Sequence, residues 1–166
     1  MKIGSPEIYS NGNLACKFYS DSGIIDFPKQ SGCRVYLNTT QTIPNATFTK
    51  IQLNAKNYDA QNEFDSTTNY RFTATKAGVY KISATVDFST FSDAGAFLLM
   101  FYKNGVEVSR KFSRSASTAE YGDTHTDTIY LSAGDYIELW VYQNSGASRN
   151  VTYGSNITFM SITKLS

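Results

Sequence analysis

At 166 residues the chain has the length of one domain with a short appendage, and a formal charge of +1 with a pI near 7.7 leaves no field strong enough to hold a nucleic-acid backbone or an anionic membrane. With 12 Tyr, 11 Phe and many Thr, and few of the Leu, Glu, Ala and Lys runs that build long helices, the composition is that of an all-β protein. No stretch approaches the roughly 18 apolar residues of a spanning helix. Met1-Lys2-Ile3-Gly4-Ser5-Pro6 lacks the apolar core of a secretory signal, so the expectation is a protein soluble where it is made, or one whose leader has been removed.

Residues 1–32 are punctuated by Gly4-Ser5-Pro6, Asn11-Gly12-Asn13, Asp21-Ser22-Gly23 and Ser31-Gly32. The pieces between these turns, 14–19 and 23–27, are too short to bury a core alone. They predict an arm or stem that attaches the chain or packs on neighbouring copies, with 33–166 as the head. Cys16 and Cys33 are expected as free, partly buried thiols, a bridge between them being the alternative, because two cysteines cannot complete a structural zinc site in one chain and a core of this size needs no bridge. Asn-x-Thr triplets begin at Asn38, Asn45, Asn150 and Asn156, and turn chemistry accounts for them in a chain this rich in Asn and Thr.

From Cys33 onward, strands are predicted at 34–38, 48–54, 70–74, 78–88, 96–103, 106–113, 124–132, 135–143 and 157–165, a spacing that implies two packed sheets. In the fourth, Tyr80, Ile82, Ala84, Val86 and Phe88 share one face, while Lys81, Ser83, Thr85 and Asp87 share the other. Asn104-Gly105 signals a tight hairpin, and Ser132-Ala133-Gly134-Asp135 a second turn. No helix and no internal repeat is predicted.

Two strands break the alternation. Phe97 to Tyr102 are apolar on both faces, and Tyr136, Trp140 and Tyr142 lie opposite Ile137, Leu139 and Val141. Leaving such surface wet forfeits roughly 1.5–3 kcal/mol per large side chain. The expectation is a homotrimer whose interface includes Leu98, Met100, Tyr136, Trp140 and Tyr142, the alternative being that the amino-terminal arm folds over these strands.

Phe72-x5-Gly78-x-Tyr80, with Ile82 and Ala84 in the later aromatic positions, resembles the signature of the complement C1q/tumour-necrosis-factor superfamily. Phe48-x5-Asn54 resembles its opening, although Tyr58 falls one position early, and the Asn104-Gly105 hairpin, Leu131-x-x-Gly134-Asp135 and the strand holding Phe159 recur in similar order. The likeness spans 33–166 and implies a ten-strand jelly-roll sandwich, homotrimeric, with its termini close together. The animal members' collagen stalk is missing, and the strand-rich arm resembles connectors that precede such heads in tailed-phage structural proteins. The resemblance therefore implies a phage or viral fibre or decoration protein.

Little catalytic chemistry is legible. There is one His, and no Gly-x-Ser-x-Gly elbow, phosphate loop or His-Glu-x-x-His pair. Glu63 and Asp65 read as solvated loop carboxylates. Asp123, His125 and Asp127 share one strand face and are weak metal candidates, more simply read as a polar strand end; relatives often bind calcium, but no residue here matches a ligand position, and no cofactor is expected. Binding is better served by the loops 55–69, with Tyr58 and Phe64, 113–122, and 144–153, with Arg149 and Tyr153. The expected function is a non-enzymatic trimeric module on a virion or a tail or head fibre, in host-surface adhesion to glycan or protein, or in capsid decoration. Its rivals are a secreted carbohydrate-binding lectin, which would be extracellular, and a purely structural capsid or fibre component. Its expected partners are copies of itself, other virion proteins through the arm and a host surface, with neither nucleic acid nor membrane insertion; assembly in the host cytoplasm would place it in the virion.

Overall fold

A computed structural model describes residues 6–19, 21–27, 29–90, 95–115 and 119–166. The part of loop 113–122 at 116–118 lies outside the described residues. The arm is a three-stranded antiparallel sheet of β1 (Glu7–Ser10), β2 (Asn13–Tyr19) and β3 (Ile24–Asp26). The head comprises β4 (Gly32–Tyr36), β5 (Gln41–Ile43), β6 (Thr49–Lys50), β7 (Ala55–Asp59), β8 (Phe64–Asp65), β9 (Arg71–Thr73), β10 (Gly78–Phe88), β11 (Ala96–Lys103), β12 (Val106–Arg114), β13 (Tyr121–Leu131), β14 (Tyr136–Gln143), β15 (Arg149–Val151) and β16 (Phe159–Lys164). Among the described residues there is no helix, and so none long and apolar enough to cross a membrane.

Two sheets face each other across the core. One runs β5-β15-β10-β16-β4-β7 with β13 on the free side of β10; the other runs β12-β11-β14-β9-β8 with β6 beside β14. Strands adjacent in space are often distant in sequence, as β16 beside β4 and β14 beside β11, which is the connectivity of a jelly roll. The alternation predicted for 78–88 holds throughout β10: Tyr80, Ile82, Ala84, Val86 and Phe88 are all buried. They meet Phe97, Leu99 and Phe101 of β11 and Ile137, Leu139 and Val141 of β14 in one cluster. Phe88 and Phe97 meet edge to face at 5.3 Å, and Phe72 packs against Tyr80 at 5.7 Å.

The signature glycine has a steric reason: Gly78, at φ 155°, lies where a Cβ would strike the backbone oxygen of Ser166. The β11–β12 turn is the predicted one, with Asn104 and Gly105 at φ 52° and 80°.

The expected strand at 48–54 is confined to Thr49–Lys50, and the expected loop 55–69 contains β7 and β8. The reason is local. Asp59 accepts the amides of Glu63 and Phe64, at 2.9 and 3.0 Å, and so folds a tight turn inside what composition alone makes a polar loop. Both cysteines are free; burial pushes the Cys33 thiol far up, which keeps it protonated and inert.

Candidate functional site

The head presents two broad outward faces, and their chemistry differs. On the six-stranded sheet, cross-strand pairing lines up Tyr142, Leu98 and Phe112 in one row and Trp140, Met100 and Arg110 in the next. Phe48 packs on Tyr142 at 4.8 Å, extending the first row past β14. Trp140 stacks on Tyr102 at 4.9 Å and donates its indole N–H to Glu138 Oε2 at 3.1 Å, while Lys50 holds Glu138 Oε1 at 3.0 Å. Arg71 lies over the ring of Tyr136, at 4.1 Å.

Cover that the sequence reading assigned to a second copy therefore comes largely from the same chain. Met100 is 0% exposed in a single subunit, so it has no surface to offer a neighbour. Leu98, Tyr136, Trp140 and Tyr142 are half-buried under Phe48, Lys50, Tyr102 and Arg71, residues of the head and not of the arm. A strip at one end of the face remains open, where Phe48 is 49% and Phe112 55% exposed, flanking Leu98 and Tyr142; Val106 and Val108 of β12 are exposed as well. At about 4.8 Å between strands, the four strands carry this strip across roughly 15 Å. Neither residue is among those expected from sequence at an interface: Phe48 is there only the opening of the family-like signature, and Phe112 is not named. The signal for Phe112 was its place on an edge strand among Arg110, Lys111 and Arg114, where an apolar side chain has no core to enter.

The other face belongs to the seven-stranded sheet. Its rows are Thr128, Lys81 and Thr163; Thr126, Ser83, Ser161 and Arg34; and Thr124, Thr85, Phe159 and Tyr36. Ser83 and Thr126 share a hydrogen bond at 2.9 Å, Thr85 and Thr124 one at 2.8 Å, and Arg34 stacks on Phe159 at 4.2 Å. Across these three rows the only charges are Lys81 and Arg34.

The residues predicted to bind a ligand are not brought together. Tyr58 is 50% exposed on β7, at one margin of the seven-stranded sheet, whereas Arg149 and Tyr153 lie on and just after β15, which pairs with β5 and with the end of β10. Phe64 corrects the expectation outright: at 3% exposed it belongs to the core, because β8 turns its ring inward. Arg149 is committed to structure, its Nε donating to Ser145 Oγ at 2.7 Å. Tyr153 is 54% exposed.

Asp123, His125 and Asp127 do share one face of β13, and it is the inward one, opposite β12. Lys111 pairs with Asp123 at 2.5 Å, Ser109 hydrogen-bonds His125 Nε2 at 2.7 Å, and the imidazole stacks on Phe101 at 4.8 Å. Burial, then the Lys111 charge, lowers the His125 pKa against the pull of both aspartates, which keeps the ring neutral at neutral pH. A hydrogen bond from Ser109 holds the Asp127 carboxyl below its usual range. Each group thus has a partner in its own chain, and among the described residues no three His, Cys, Asp or Glu gather as a metal site.

Glu63 is likewise a strut and not a solvated carboxylate: 5% exposed, it accepts the hydroxyl of Ser31 and both the amide and the hydroxyl of Thr75, at 2.9 and 2.5 Å. Asp65 caps a turn, and the amides of Thr68 and Thr67 hold its carboxyl well below the usual range.

No protein-family model matches the sequence. Among curated proteins, the chain is 30% identical over 151 residues to the uncharacterized protein YqcC of Bacillus subtilis (strain 168), covering 86% of this chain and 41% of that one. It is 32% identical over 146 residues to the phage-like element PBSX protein XkdV of the same strain, covering 81% and 21%. The chain thus spans about two fifths and one fifth of these relatives' lengths. Solved structures similar in fold include Eiger TNF from S. frugiperda (TM-score 0.63, 12% identity, 83% of this chain and 94% of that one) and the globular domain of zebrafish complement 1qA (0.59, 16%, 82% and 98%). The vertex protein P5 of phage PRD1 is a third (0.61, 16%, 82% and 98%). The chain therefore carries the C1q/TNF-like jelly-roll fold, with a phage-like element protein among its sequence relatives.

Proposed function

We propose that this chain is a non-enzymatic, trimeric structural or binding module of a phage-type particle. Copies meet through the hydroxyl-rich face of the seven-stranded sheet, and the aromatic face points outward to engage a host surface or another virion protein. The observation that carries this reading is the contrast between the faces. Three rows of mostly uncharged side chains form a surface depleted of charge in the way interface cores are, while the apolar strip on the opposite sheet has no cover of its own. The fold, the PRD1 vertex-protein neighbour and the phage-like relative supply the virion context.

A second reading keeps the copy-to-copy contact on the aromatic face, at Leu98 and Tyr142, and the exposure of Phe112 beside them favours it. Light scattering on two variants separates the two. Thr126→Arg should reduce the particle to the single-chain mass of 18.4 kDa, while Phe112→Asp should leave the mass unchanged and weaken adsorption to host cells or to the partner protein. Monomers from Phe112→Asp with intact trimers from Thr126→Arg would transfer the interface to the aromatic face, and a monomeric wild type would overturn the trimer altogether.

A further inference from the structure

Between the arm and the base of the head lies a cleft of about 860 Å³, within the range that holds an organic group or several side chains. Its apolar lining comes from both parts: Leu14 and Phe27 from the arm, Leu165 from the head. Lys29, Lys76 and Lys164 line it as well. These lysines stand apart from Lys17, Lys50, Lys56, Lys103 and Lys111, each of which sits on a carboxylate of its own chain; none of the three has a carboxylate partner among the described residues. Phe27 and Leu165 are 54% and 55% exposed although they border the same cavity. An apolar floor with three lysines that no side-chain carboxylate pairs suits an occupant that is apolar and acidic.

The chain carries such an element at the tip of its own β2–β3 hairpin. The amide of Gly23 bonds the carbonyl of Tyr19 at 2.7 Å, closing a tight turn that presents exposed Asp21 next to Ile24 and Ile25, which are 58% and 54% exposed. The tip cannot reach the cleft of its own subunit. Leu14, at the start of β2, lines the cleft, and Tyr19 ends the strand at the tip; at about 3.3 Å per residue the two are separated by roughly 16 Å of extended chain running away from the cavity. We propose that the cleft receives the β2–β3 tip of a second copy, with Asp21 against the lysines and Ile24 on the apolar floor. The contact is heterologous, tip into cleft, and a threefold ring closes it. It rests on the self-association proposed above, and it explains why a three-stranded sheet too small to be stable alone leaves its isoleucines uncovered within one subunit.

The test is disulfide capture between full-length copies in a Cys16→Ser background, one carrying Asp21→Cys and the other Lys76→Cys. Mild oxidation of the mixture should give an inter-chain dimer that neither variant gives alone. Charge reversal provides the second arm: Asp21→Lys, or Lys76→Glu with Lys164→Glu, should each weaken assembly at least tenfold by light scattering at falling concentration, and the combination of all three should recover most of the loss. Wild-type trimers with no cross-link and no recovery would overturn arm exchange and leave the trimer standing; a wild type that is monomeric would overturn both.

Discussion

The two outward faces of the sandwich share one core and answer water differently. The seven-stranded sheet turns Thr, Ser and a stacked Arg34–Phe159 pair outward, so its surface is satisfied by cross-strand hydroxyl bonds and carries little charge beyond Arg34 and Lys81. The six-stranded sheet turns aromatic rings outward and then covers most of them itself with Phe48, Lys50 and Arg71. Apolar residues on both sides of a strand are therefore not sufficient grounds for a subunit interface: a short neighbouring segment of the same chain can act as the second layer. Beside that covering, the strip from Phe48 to Phe112 is left exposed.

Breaking what the faces share has the largest effect. Phe97→Ala removes the ring that meets Phe88 between the sheets and should cost about 3–5 kcal/mol, seen as an early midpoint in denaturant unfolding, with both surfaces lost together. Trp140→Ala strikes the aromatic face alone: losing the stack on Tyr102 and the donor to Glu138 should cost about 2 kcal/mol while the assembled mass stays the same. A change of mass in that variant would transfer the copy contact to this face.

Gly105→Ala tests the hairpin that positions β12 beside β11. At φ 80° an added Cβ is strained, and about 1 kcal/mol of stability should be lost with the hydroxyl face untouched, measurable as a shift in urea midpoint. The smallest effect is electrostatic. Lys103, then Asn104 and the Ser132 amide, draw the Asp135 carboxyl down from 3.8 to about 2. Because the folded pKa is the lower one, this stabilisation is complete above the ordinary carboxylate pKa and fades as pH falls toward 2. Asp135→Asn should flatten the acid limb of a stability-against-pH curve in that window, and an unchanged limb would show that the ion pair contributes nothing to folding.

Legibility followed the range of the interactions. Strands β10 and β11 were readable to their end residues, because period-two alternation and the Asn104-Gly105 turn are local signals. The aromatic excess on β14 was equally visible, but its cover was not: Phe48 reaches Tyr142 across 94 positions, a pairing that no local pattern encodes. Phe64 misled because a polar loop composition surrounds it, and only the turn held by Asp59 shows that the ring points inward. Asp123, His125 and Asp127 were placed correctly on one face, while their partners Lys111 and Ser109 came from the neighbouring strand.

By itself, then, the amino-acid order determined the β architecture, the β11–β12 hairpin and the two-faced character of the long strands, since side-chain alternation and turn geometry depend only on near neighbours. Tertiary structure alone decided which greasy surfaces stay wet, which carboxylates are struts, and that arm and head enclose a basic cleft. Those properties arise where segments far apart in sequence come into contact, and solvent exposure is a property of the packed whole.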